Sequence, residues 1–299
     1  MSRVNDRPFR FFVSSHKHLT YFPFFRYPCL SQHGSSEWVI IKRRSYFVAL
    51  IEDKMYMRIK NVTGKAIADF SMIEEGDRIA VGVSGGKDSY ALLHMLETLR
   101  RRAPVKYELM AINIDSGYPG FRADIIEQHL KEHGFTYHME KTGHYDIIKE
   151  KRRPGSSYCS ICARLKRGTL YALAQKFECN KLALGHHLDD FVETLLLNQF
   201  FVGSLKAMSG KMLADNGVTT VIRPFVYAEE KEIIAFSRTN NFPVVCCRCP
   251  VCGTADLQRK KMKMLLTELE KDNPFVKKSL LNALANVKPR HLLDQRLNG

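Results

Sequence analysis

The sequence predicts an α/β fold in which a doubly wound parallel sheet carries a small helical appendage at its C-terminal end. Between about residues 54 and 240, short apolar runs alternate with amphipathic segments. The runs have the length of strands, and the segments repeat their apolar residues at about 3.6 residues per turn, as helices do. Strands that alternate with helices form a parallel sheet covered on both faces. After residue 241 the pattern requires no strand.

The strands are predicted from their apolar runs. The runs span residues 78–83, 107–115, 136–140, 181–185 and 218–223. The third run is weaker than the others. Pro224 ends the last one, because proline has no backbone N–H to donate to a neighbouring strand. Their carboxyl ends are expected to share one edge of the sheet, where the ligands of such folds bind.

The helices are predicted from their amphipathic period. The first follows residues 84–89, and Arg100–Arg102 in its last turn suit the negative end of the helix dipole. Its apolar face consists of Ala91, Leu92, Met95, Leu96 and Leu99. The others span residues 121–133, with Gly134 as C-cap, and 162–177, 189–201 and 228–240. Two tail helices, 256–270 and 275–287, form the appendage and carry a basic surface.

The composition excludes several classes of protein. The chain has 299 residues, of which 45% are hydrophobic and 26% charged, a globular mixture rather than a disordered or fibrous one. No uncharged apolar run reaches the roughly 18 residues that a membrane helix needs. The net charge of +15 is that of a protein with a polyanionic partner, such as nucleic acid or an acidic membrane surface. Charge alone does not distinguish such a protein from a merely soluble basic one.

Three regions are expected along the chain. Residues 1–53 form an extension of no assigned fold, rich in aromatic residues and poor in acidic ones. For this extension a targeting segment and a start at Met55 or Met57 both stay open. Residues 54–240 form the sheet domain, and residues 241–299 form a cysteine-containing loop followed by the helical tail.

A phosphate-binding loop is predicted between the first strand and the first helix. Its sequence is Ser84-Gly85-Gly86-Lys87-Asp88-Ser89. The glycines let the backbone approach a phosphate, and the amides at a helix start form an anion site. The serines add hydroxyl donors, Lys87 adds a cation, and Asp88 suits Mg²⁺ held between carboxylate and phosphate oxygens. The spacing is not that of a Walker loop, and the alternative is a tight turn with a Ser or Asp N-cap.

A second polar segment follows the fourth predicted strand. It reads Gly185-His186-His187-Leu188-Asp189-Asp190 and therefore falls at the same edge of the sheet as the phosphate loop. We expect Asp189 to be a second carboxylate near the nucleotide, acting on metal or substrate. A helix cap is the alternative role for this carboxylate.

The chain contains eight cysteines, which we expect to be reduced in a cytoplasmic protein. Four of them form two C-x-x-C pairs, Cys159 with Cys162 and Cys249 with Cys252. The pairs lie too far apart for a zinc ribbon. The spacing alone is compatible with two kinds of metal centre. One is a closed zinc site of four thiolates, and the other is an iron–sulfur cluster on three thiolates, with one iron open to a sulfur atom or substrate.

The phosphate loop resembles the PP-loop of the N-type ATP pyrophosphatases, which cleave ATP between its α and β phosphates and adenylate a substrate oxygen. Within that superfamily, the further motifs are similar to those of the tRNA 2-thiocytidine synthetase family (TtcA). These motifs are Cys159-Ser-Ile-Cys162-Ala-Arg164-Leu-Lys166-Arg167-Gly168, the segment from Gly185, Cys249-Pro-Val-Cys252-Gly253 and Leu257-Gln258-Arg259. The resemblance covers about residues 55–295 and implies an adenine nucleotide alpha hydrolase-like, Rossmann-like fold.

The resemblance also implies the site. ATP and Mg²⁺ would bind at residues 84–89 and Gly185, with adenine near the main chain of Ile112 and Ile114. A [4Fe–4S] cluster would be held by Cys159, Cys162 and a third cysteine. Cys249 is preferred as the third ligand, and Cys247 stays open because the run of residues 246–249 departs from the family pattern. The implied catalytic residues are Lys87, Asp88, Lys166 and Asp189.

The implied reaction converts an anticodon-loop cytidine of tRNA, position 32 in the family, into 2-thiocytidine. Its O2 would be adenylated, and sulfur delivered through the cluster would displace AMP. The candidate tRNA phosphate contacts are Arg164, Arg167, Arg259, Lys260 and Lys261. A sulfur donor, a cysteine desulfurase or another, is expected, no membrane is involved, and a homodimer stays open. The alternatives are a lysidine synthetase or uridine thiolase type of enzyme with structural zinc, and a basic RNA-binding protein with a degenerate nucleotide site.

Overall fold

The computed structural model describes residues 54–151, 158–249 and 257–293, which all belong to one compact unit. The expectations for residues 1–53 and for Cys252 lie outside the described residues. No helix in the described part combines the length and the hydrophobicity that a membrane span requires.

Helices and strands alternate along the chain. The strands are β1 (Asp77–Gly82), β2 (Tyr107–Asp115), β3 (Tyr137–Lys141), β4 (Lys181–Ala183), β5 (Lys211–Leu213) and β6 (Thr220–Ile222). The helices are α1 (54–69), α2 (Lys87–Arg100), α3 (Ala123–Glu132), α4 (His144–Lys151), α5 (Tyr158–Lys176), α6 (Leu188–Leu197), α7 (Glu230–Thr239), α8 (Leu257–Asp272) and α9 (Val276–Ala285). A π-helical turn (Asn198–Val202) continues α6, and a 3-10 turn (Pro289–His291) follows α9.

The strands form one sheet in the order β3-β2-β1-β4-β6-β5. All neighbouring pairs are parallel except β5 and β6, which are antiparallel. The chain leaves β1 toward one side of the sheet and reaches β4 on the other. The predicted doubly wound parallel sheet is therefore confirmed, with its crevice at the carboxyl ends of β1 and β4.

Alternating side chains of β1 divide the core into two apolar layers. Ile79 and Val81 are buried with residues of α1, α2, α3 and α7 on one face. Ala80 is buried on the other face with Leu173 and Ala174 of α5. Because successive strand residues point to opposite faces, a continuous apolar run is what a strand covered on both sides requires.

Three elements of the structure were not predicted from the sequence, and they are α1, α4 and β5. Helix α1 buries Ile59 and Ala66 in the main core. Helix α4 buries two residues one turn apart, His144 and Ile148, so its apolar period is too short to recognise. Strand β5 is a three-residue edge strand with its Leu213 side chain exposed. Short elements at the margin of a fold leave little periodic signal.

The helical appendage packs on α6. Met262 and Leu266 of α8 are buried against Leu188, Val192 and Leu196 of α6. These side chains recur at one helical turn on both helices, which is the pattern of a helix–helix contact. The contact joins the tail to the sheet domain directly behind the second polar segment.

A buried carboxylate lies beside this contact. Glu193 of α6 is 5% exposed, and one of its oxygens lies 3.5 Å from Arg259 Nη1 of α8. Burial raises the pKa of Glu193 to about 7, although Arg259 acts in the opposite direction. A carboxyl with such a pKa changes its charge near physiological pH.

The two polar loops touch through their backbones. A Cβ atom added at Gly185, just after β4, would lie 2.9 Å from the carbonyl oxygen of Asp88 and 3.0 Å from its carbon. Backbone atoms cannot swing away as the end of a side chain can, so glycine is required at this position.

Gly185→Ala is expected to destabilise the protein by about 1–3 kcal/mol, because the added methyl group pushes the two loops apart. Thermal denaturation followed by circular dichroism measures the effect. Gly168→Ala in α5 is the matched control, since nothing lies within 4 Å of its added Cβ atom. Alanine should stabilise that helix by about 0.5–1 kcal/mol. Equal melting temperatures for wild type and Gly185→Ala would contradict the close approach.

The raised pKa of Glu193 predicts a stability that depends on pH. The unfolded chain releases this proton near pH 4.5, the ordinary value, and the folded chain releases it near pH 7. Between these values the folded state binds more protons, so stability falls as pH rises. Relative to Glu193→Gln, the wild type should lose on the order of 2 kcal/mol across this range, measured by urea denaturation. The exposed Glu268→Gln is the control, and parallel curves for wild type and Glu193→Gln would contradict the assignment.

Candidate active site

The loop after β1 has the backbone of a phosphate cradle. Gly85 has φ +85°, a left-handed conformation that glycine adopts without strain. A Cβ atom there would lie 2.8 Å from Ile126 Cδ1 and 3.2 Å from Val245 Cβ, so a side chain would have to displace both neighbours. Helix α2 begins at Lys87, and the first amides of a helix have no acceptor within it. The loop can therefore donate backbone N–H groups to an anion.

Two serine hydroxyls hold this loop in shape. Ser89 Oγ donates to the carbonyl oxygen of Gly86 at 2.8 Å and accepts from the Ser84 N–H at 3.2 Å. Ser84 Oγ accepts from the Gly86 N–H at 3.3 Å. Both hydroxyls form hydrogen bonds with the backbone of the loop itself. They therefore fix the orientation of the backbone N–H groups.

Lys87 lies between two carboxylates. Its Nζ is 2.9 Å from Asp88 Oδ1 and 3.2 Å from Glu230 Oε1 of α7. Burial opposes the charge of Lys87, but the two carboxylates outweigh it and raise the pKa above its ordinary value. Lys263 of α8 forms a second ion pair with Glu230. The ammonium group stays charged, and a polyphosphate would compete with these carboxylates for it.

His187 is buried among three carboxylates of the two loops. Its ring nitrogens lie 3.8 Å from Asp88 Oδ1, 3.6 Å from Asp189 Oδ2 and 3.4 Å from Asp190 Oδ2. Burial alone would lower the pKa of His187, but the carboxylates raise it. The neighbouring His186 differs, because burial and then Arg223 lower its pKa to about 4. Only the tertiary contacts distinguish these adjacent histidines.

Asp189 has its partners inside the protein. One carboxylate oxygen accepts the Glu230 N–H at 2.7 Å, and the other lies 2.8 Å from Lys277 Nζ of α9. Burial would raise the pKa of Asp189, but His187, Lys277 and the Glu230 amide hold it well below its usual range. The carboxylate therefore caps α7 and connects α6 to α9 at the margin of the site. Glu230 and Lys277 belong to this network, although no sequence motif marks them.

The end of β2 supports the phosphate loop. The Ile112 carbonyl oxygen accepts the Val83 N–H at 2.8 Å, and Ile114 pairs with Glu140 of β3. Asn113, which is fully buried, donates Nδ2 to the Val83 carbonyl oxygen at 2.6 Å. Ile112 is thus bonded to the residue that precedes the loop, whereas Ile114 pairs with β3, and their predicted role near adenine stays a prediction. Asn113 is a supporting residue that the sequence does not single out.

The cysteine segment that follows α7 lies directly against the phosphate loop. The Val245 N–H donates to the Gly85 carbonyl oxygen at 2.8 Å. Phe242 is buried in the main core and anchors the start of this segment. Cys247 and Cys249 follow within four residues of Val245. One backbone hydrogen bond therefore sets the candidate cluster ligands beside the candidate phosphate site.

The two cysteine regions meet at a small aromatic cluster. Cys162 and Cys249 both pack against the buried cluster formed by Tyr118, Ile148 and Tyr158. The Tyr118 hydroxyl donates to Cys162 Sγ at 3.4 Å. The sulfurs of Cys247 and Cys249 are 3.5 Å apart.

Cys159 lies one helical turn before Cys162 on α5, with its side chain exposed. The described part of the chain contains six cysteines, which are Cys159, Cys162, Cys179, Cys246, Cys247 and Cys249. Cys162 and Cys249 are separated by more than eighty positions in sequence, and the fold packs both against one apolar cluster.

The remaining candidates are placed around this centre. Lys166 is half-buried beside His144, whose pKa is lowered by burial and then by Lys166. Among the described residues no contact joins Lys166 to the phosphate loop. Arg259 lies 3.1 Å from Asp190 Oδ1, so it contributes to the packing of α8 on α6. The other four candidate tRNA contacts are exposed, and they are Arg164, Arg167, Lys260 and Lys261.

Comparison with known proteins identifies the family of the chain. Residues 53–245 match the PP-loop domain family. The chain is 80% identical over 250 residues to the tRNA-cytidine(32) 2-sulfurtransferase of Citrifermentans bemidjiense, a match that covers 84% of this chain and 98% of that relative. A protein of the same name from Syntrophotalea carbinolica is 60% identical over 248 residues, which cover 83% of this chain and 96% of that relative.

A solved structure shows the same fold. It is the U34-tRNA thiolase NcsA from Methanococcus maripaludis with its [4Fe-4S] cluster, with a TM-score of 0.67 and 23% identity, covering 80% of this chain and 81% of that one. The family match spans both polar loops and ends at Val245, where the chain meets the phosphate loop. The resemblance carried by the motifs is thereby confirmed, and this chain belongs to the PP-loop family and, within it, to the tRNA-cytidine(32) 2-sulfurtransferases.

Proposed function

We propose that this protein converts a cytidine of tRNA, at position 32 as in the names of its relatives, into 2-thiocytidine, with ATP and a [4Fe–4S] cluster. The observation that carries the proposal is the 2.8 Å hydrogen bond between the Val245 N–H and the Gly85 carbonyl oxygen. This bond holds the cysteine segment on the phosphate loop. Activation of the base takes place at O2 and thiolation at the adjoining C2, so the two steps need one cleft.

The first half of the reaction activates the base. The first-turn amides of α2 and the Lys87 ammonium hold the phosphate charge. Cytidine O2 attacks the α-phosphorus, the bond from this phosphorus to the bridging oxygen breaks, and pyrophosphate leaves with the electron pair. Asp88, next to Lys87 at 2.9 Å, would hold the Mg²⁺ that accompanies ATP. Asp189 and His187 act as positioning residues, because their contacts fix Asp88 and α7.

The second half replaces oxygen by sulfur. A sulfur nucleophile attacks C2 of the activated base, the C2–O2 bond breaks, and AMP leaves with that oxygen. The cluster, when bound, supplies an iron without a protein thiolate, on which sulfur can be carried. Lys166 lies four residues after Cys162 on α5 and hence on the same helix face, where it would stabilise phosphate charge. A separate donor, such as a cysteine desulfurase, provides the sulfur. Sulfur from a desulfurase is at the persulfide level, so a thiol reductant would supply the two electrons that bring it to the sulfide level of the nucleophile.

The donor set fits an iron–sulfur cluster, because cysteine thiolates are the usual ligands of such clusters. Cys159, Cys162 and Cys249 would supply three thiolates and leave one iron without a protein ligand. The names of the relatives and the [4Fe-4S] cluster of the U34-tRNA thiolase NcsA support the thiolase over a lysidine synthetase type of enzyme with structural zinc.

The surface charge supports tRNA as the substrate. The net charge of +15 favours a polyanion, and the exposed Arg164 and Arg167 continue the helix that carries Cys159 and Cys162. Lys260 and Lys261 are exposed on α8. These cations would bind the tRNA backbone in a salt-dependent way, while the target base is turned out into the cleft.

Lys87→Ala and Cys159→Ser are expected to fail at different steps. Lys87→Ala removes the cation of the phosphate loop, so ATP affinity should fall by at least about tenfold while iron content is retained. Cys159→Ser removes a cluster ligand, so iron and 2-thiocytidine formation should be lost while ATP affinity stays within about twofold. Iron and sulfide analysis after anaerobic purification, calorimetry with ATP, and mass spectrometry of tRNA nucleosides measure these effects.

Two control variants accompany this pair. Lys65→Ala changes an exposed lysine of α1, and Cys246→Ser changes an exposed thiol. Cys246 belongs to the cysteine segment but is not a predicted ligand. Both control variants should retain iron, ATP binding and thiolation. Loss of ATP binding together with iron in Cys159→Ser would indicate a purely structural metal site and would contradict the proposal.

The third cluster ligand is expected to be Cys249, because it packs with Cys162 against the same buried cluster. Cys249→Ser should therefore lose most of the about four iron atoms of the cluster, whereas Cys247→Ser should retain them. Iron content per chain after anaerobic purification distinguishes the two. Full iron in Cys249→Ser with loss of iron in Cys247→Ser would assign the ligand to Cys247 instead.

A further inference from the structure

Three histidines meet between α2 and α3, at positions that the proposed reaction does not use. His94 lies seven residues after Lys87 on α2, and His129 and His133 lie one turn apart at the end of α3. One ring nitrogen of each residue lies within 4.8 Å of the corresponding nitrogens of the other two. We propose that His94, His129 and His133 form a binding site for a divalent transition-metal ion of the zinc type.

The spacing of the nitrogens suits a single ion. The Nε2 atoms of His94 and His129 are 2.9 Å apart. Zinc with imidazole ligands at about 2.0–2.1 Å and tetrahedral angles places neighbouring nitrogens about 3.4 Å apart. The separation of this pair is shorter than that value, and the three nitrogens lie within 4.8 Å of one another. A modest adjustment of the rings would bring all three to the distance that one ion needs.

The hydrogen bonding of His133 leaves a nitrogen free for metal. Its Nδ1 lies 2.9 Å from the backbone carbonyl oxygen of His129. A carbonyl oxygen only accepts hydrogen bonds, so Nδ1 carries the proton and Nε2 carries the lone pair. Metal-binding histidines are usually held in this way, with the second nitrogen donating to a carbonyl or carboxylate.

The contact between His94 and His129 fixes the position of a second proton. Their Nε2 atoms are 2.9 Å apart, a hydrogen-bond distance, so one of the two rings donates its Nε2–H to the other. When a metal ion takes both Nε2 atoms, this proton moves to Nδ1 of the donor ring, the other tautomer of a neutral imidazole.

Aromatic side chains hold the rings in place. The ring centroid of Phe242 lies 4.7 Å from that of His94, and Phe135 lies 5.1 Å from His94. Tyr90 lies edge-on to His129 at 4.8 Å. These contacts restrict ring rotation, so less freedom is lost when a metal binds.

Solvent reaches the site through an open cavity. The cavity has a volume of about 460 Å³ and is lined by His94, His133 and Phe135. Three imidazoles leave the fourth position of a tetrahedral ion for water, and the cavity has room for it. Imidazole is a preferred ligand of zinc, copper and nickel, so the class of ion follows from the donors. Bound metal would fasten α2, which begins in the phosphate loop, to α3.

Zinc binding by the holoenzyme tests this site. Anaerobically purified protein with its cluster is dialysed to equilibrium against buffered zinc, and zinc and iron are measured per chain. The wild type should retain one zinc more than the double variant His94→Gln/His133→Gln, with equal iron in both. Each single variant should bind this zinc at least about tenfold more weakly. His138→Gln, a half-buried histidine of β3 outside the trio, is the matched control and should bind zinc like the wild type.

A melting experiment provides a second measurement. Zinc should raise the melting temperature of the wild type and of His138→Gln, and a chelator should reverse the rise, while the double variant should not respond. Equal iron content and equal melting temperatures without zinc show that the double variant is folded. Equal zinc in the wild type and the double variant would overturn the proposal and assign the bound zinc to thiols. Because iron and zinc are counted separately, failure of this site leaves the proposed thiolation unaffected.

Discussion

The site depends on a backbone contact between two loops at one edge of the sheet. Gly185, after β4, lies so close to Asp88 that a Cβ atom would come within 2.9 Å of its carbonyl oxygen. Strands β1 and β4 are parallel neighbours, so the loops that follow them leave the sheet side by side. A third backbone joins them where the Val245 N–H binds the Gly85 carbonyl oxygen. Three segments distant in sequence are thus fixed by atoms that cannot reorient independently.

Several ion pairs surround this contact. Lys87 lies between Asp88 and Glu230, and Asp189 lies between His187 and Lys277. The appendage supplies several of the cations, because Lys263 and Lys277 belong to α8 and α9. Part of the basic character of the tail therefore holds it on the sheet domain, and the exposed cations of α8 remain for a polyanion. The balance keeps the site organised before any phosphate enters.

The sheet strands and most helices could be predicted because their patterns are local. Apolar runs at residues 78–83 and 107–115 coincide closely with β1 and β2. Helix α3 begins at Ala123 and ends at Glu132, one turn shorter overall than the predicted span, since element ends are set by capping contacts. Helix α4 and strand β5 were not predicted. Helix α4 has only two buried residues and β5 has only three residues, and neither is enough to show a repeating hydrophobic pattern. The apolar stripe of the tail helices predicted the helices themselves, but it did not predict that they pack on α6.

The sequence by itself determined the class of fold, the phosphate loop and the presence of thiols suited to a metal centre. Each of these depends on residues that are neighbours along the chain, whose spacing and chemistry can be read directly. Tertiary structure alone decided which distant groups meet. It packed Cys249 and Cys162 against the same cluster, gave Asp189 its partners Glu230 and Lys277, and brought His94 to His129 and His133. Such contacts follow from helix packing and strand order, which no local spacing encodes.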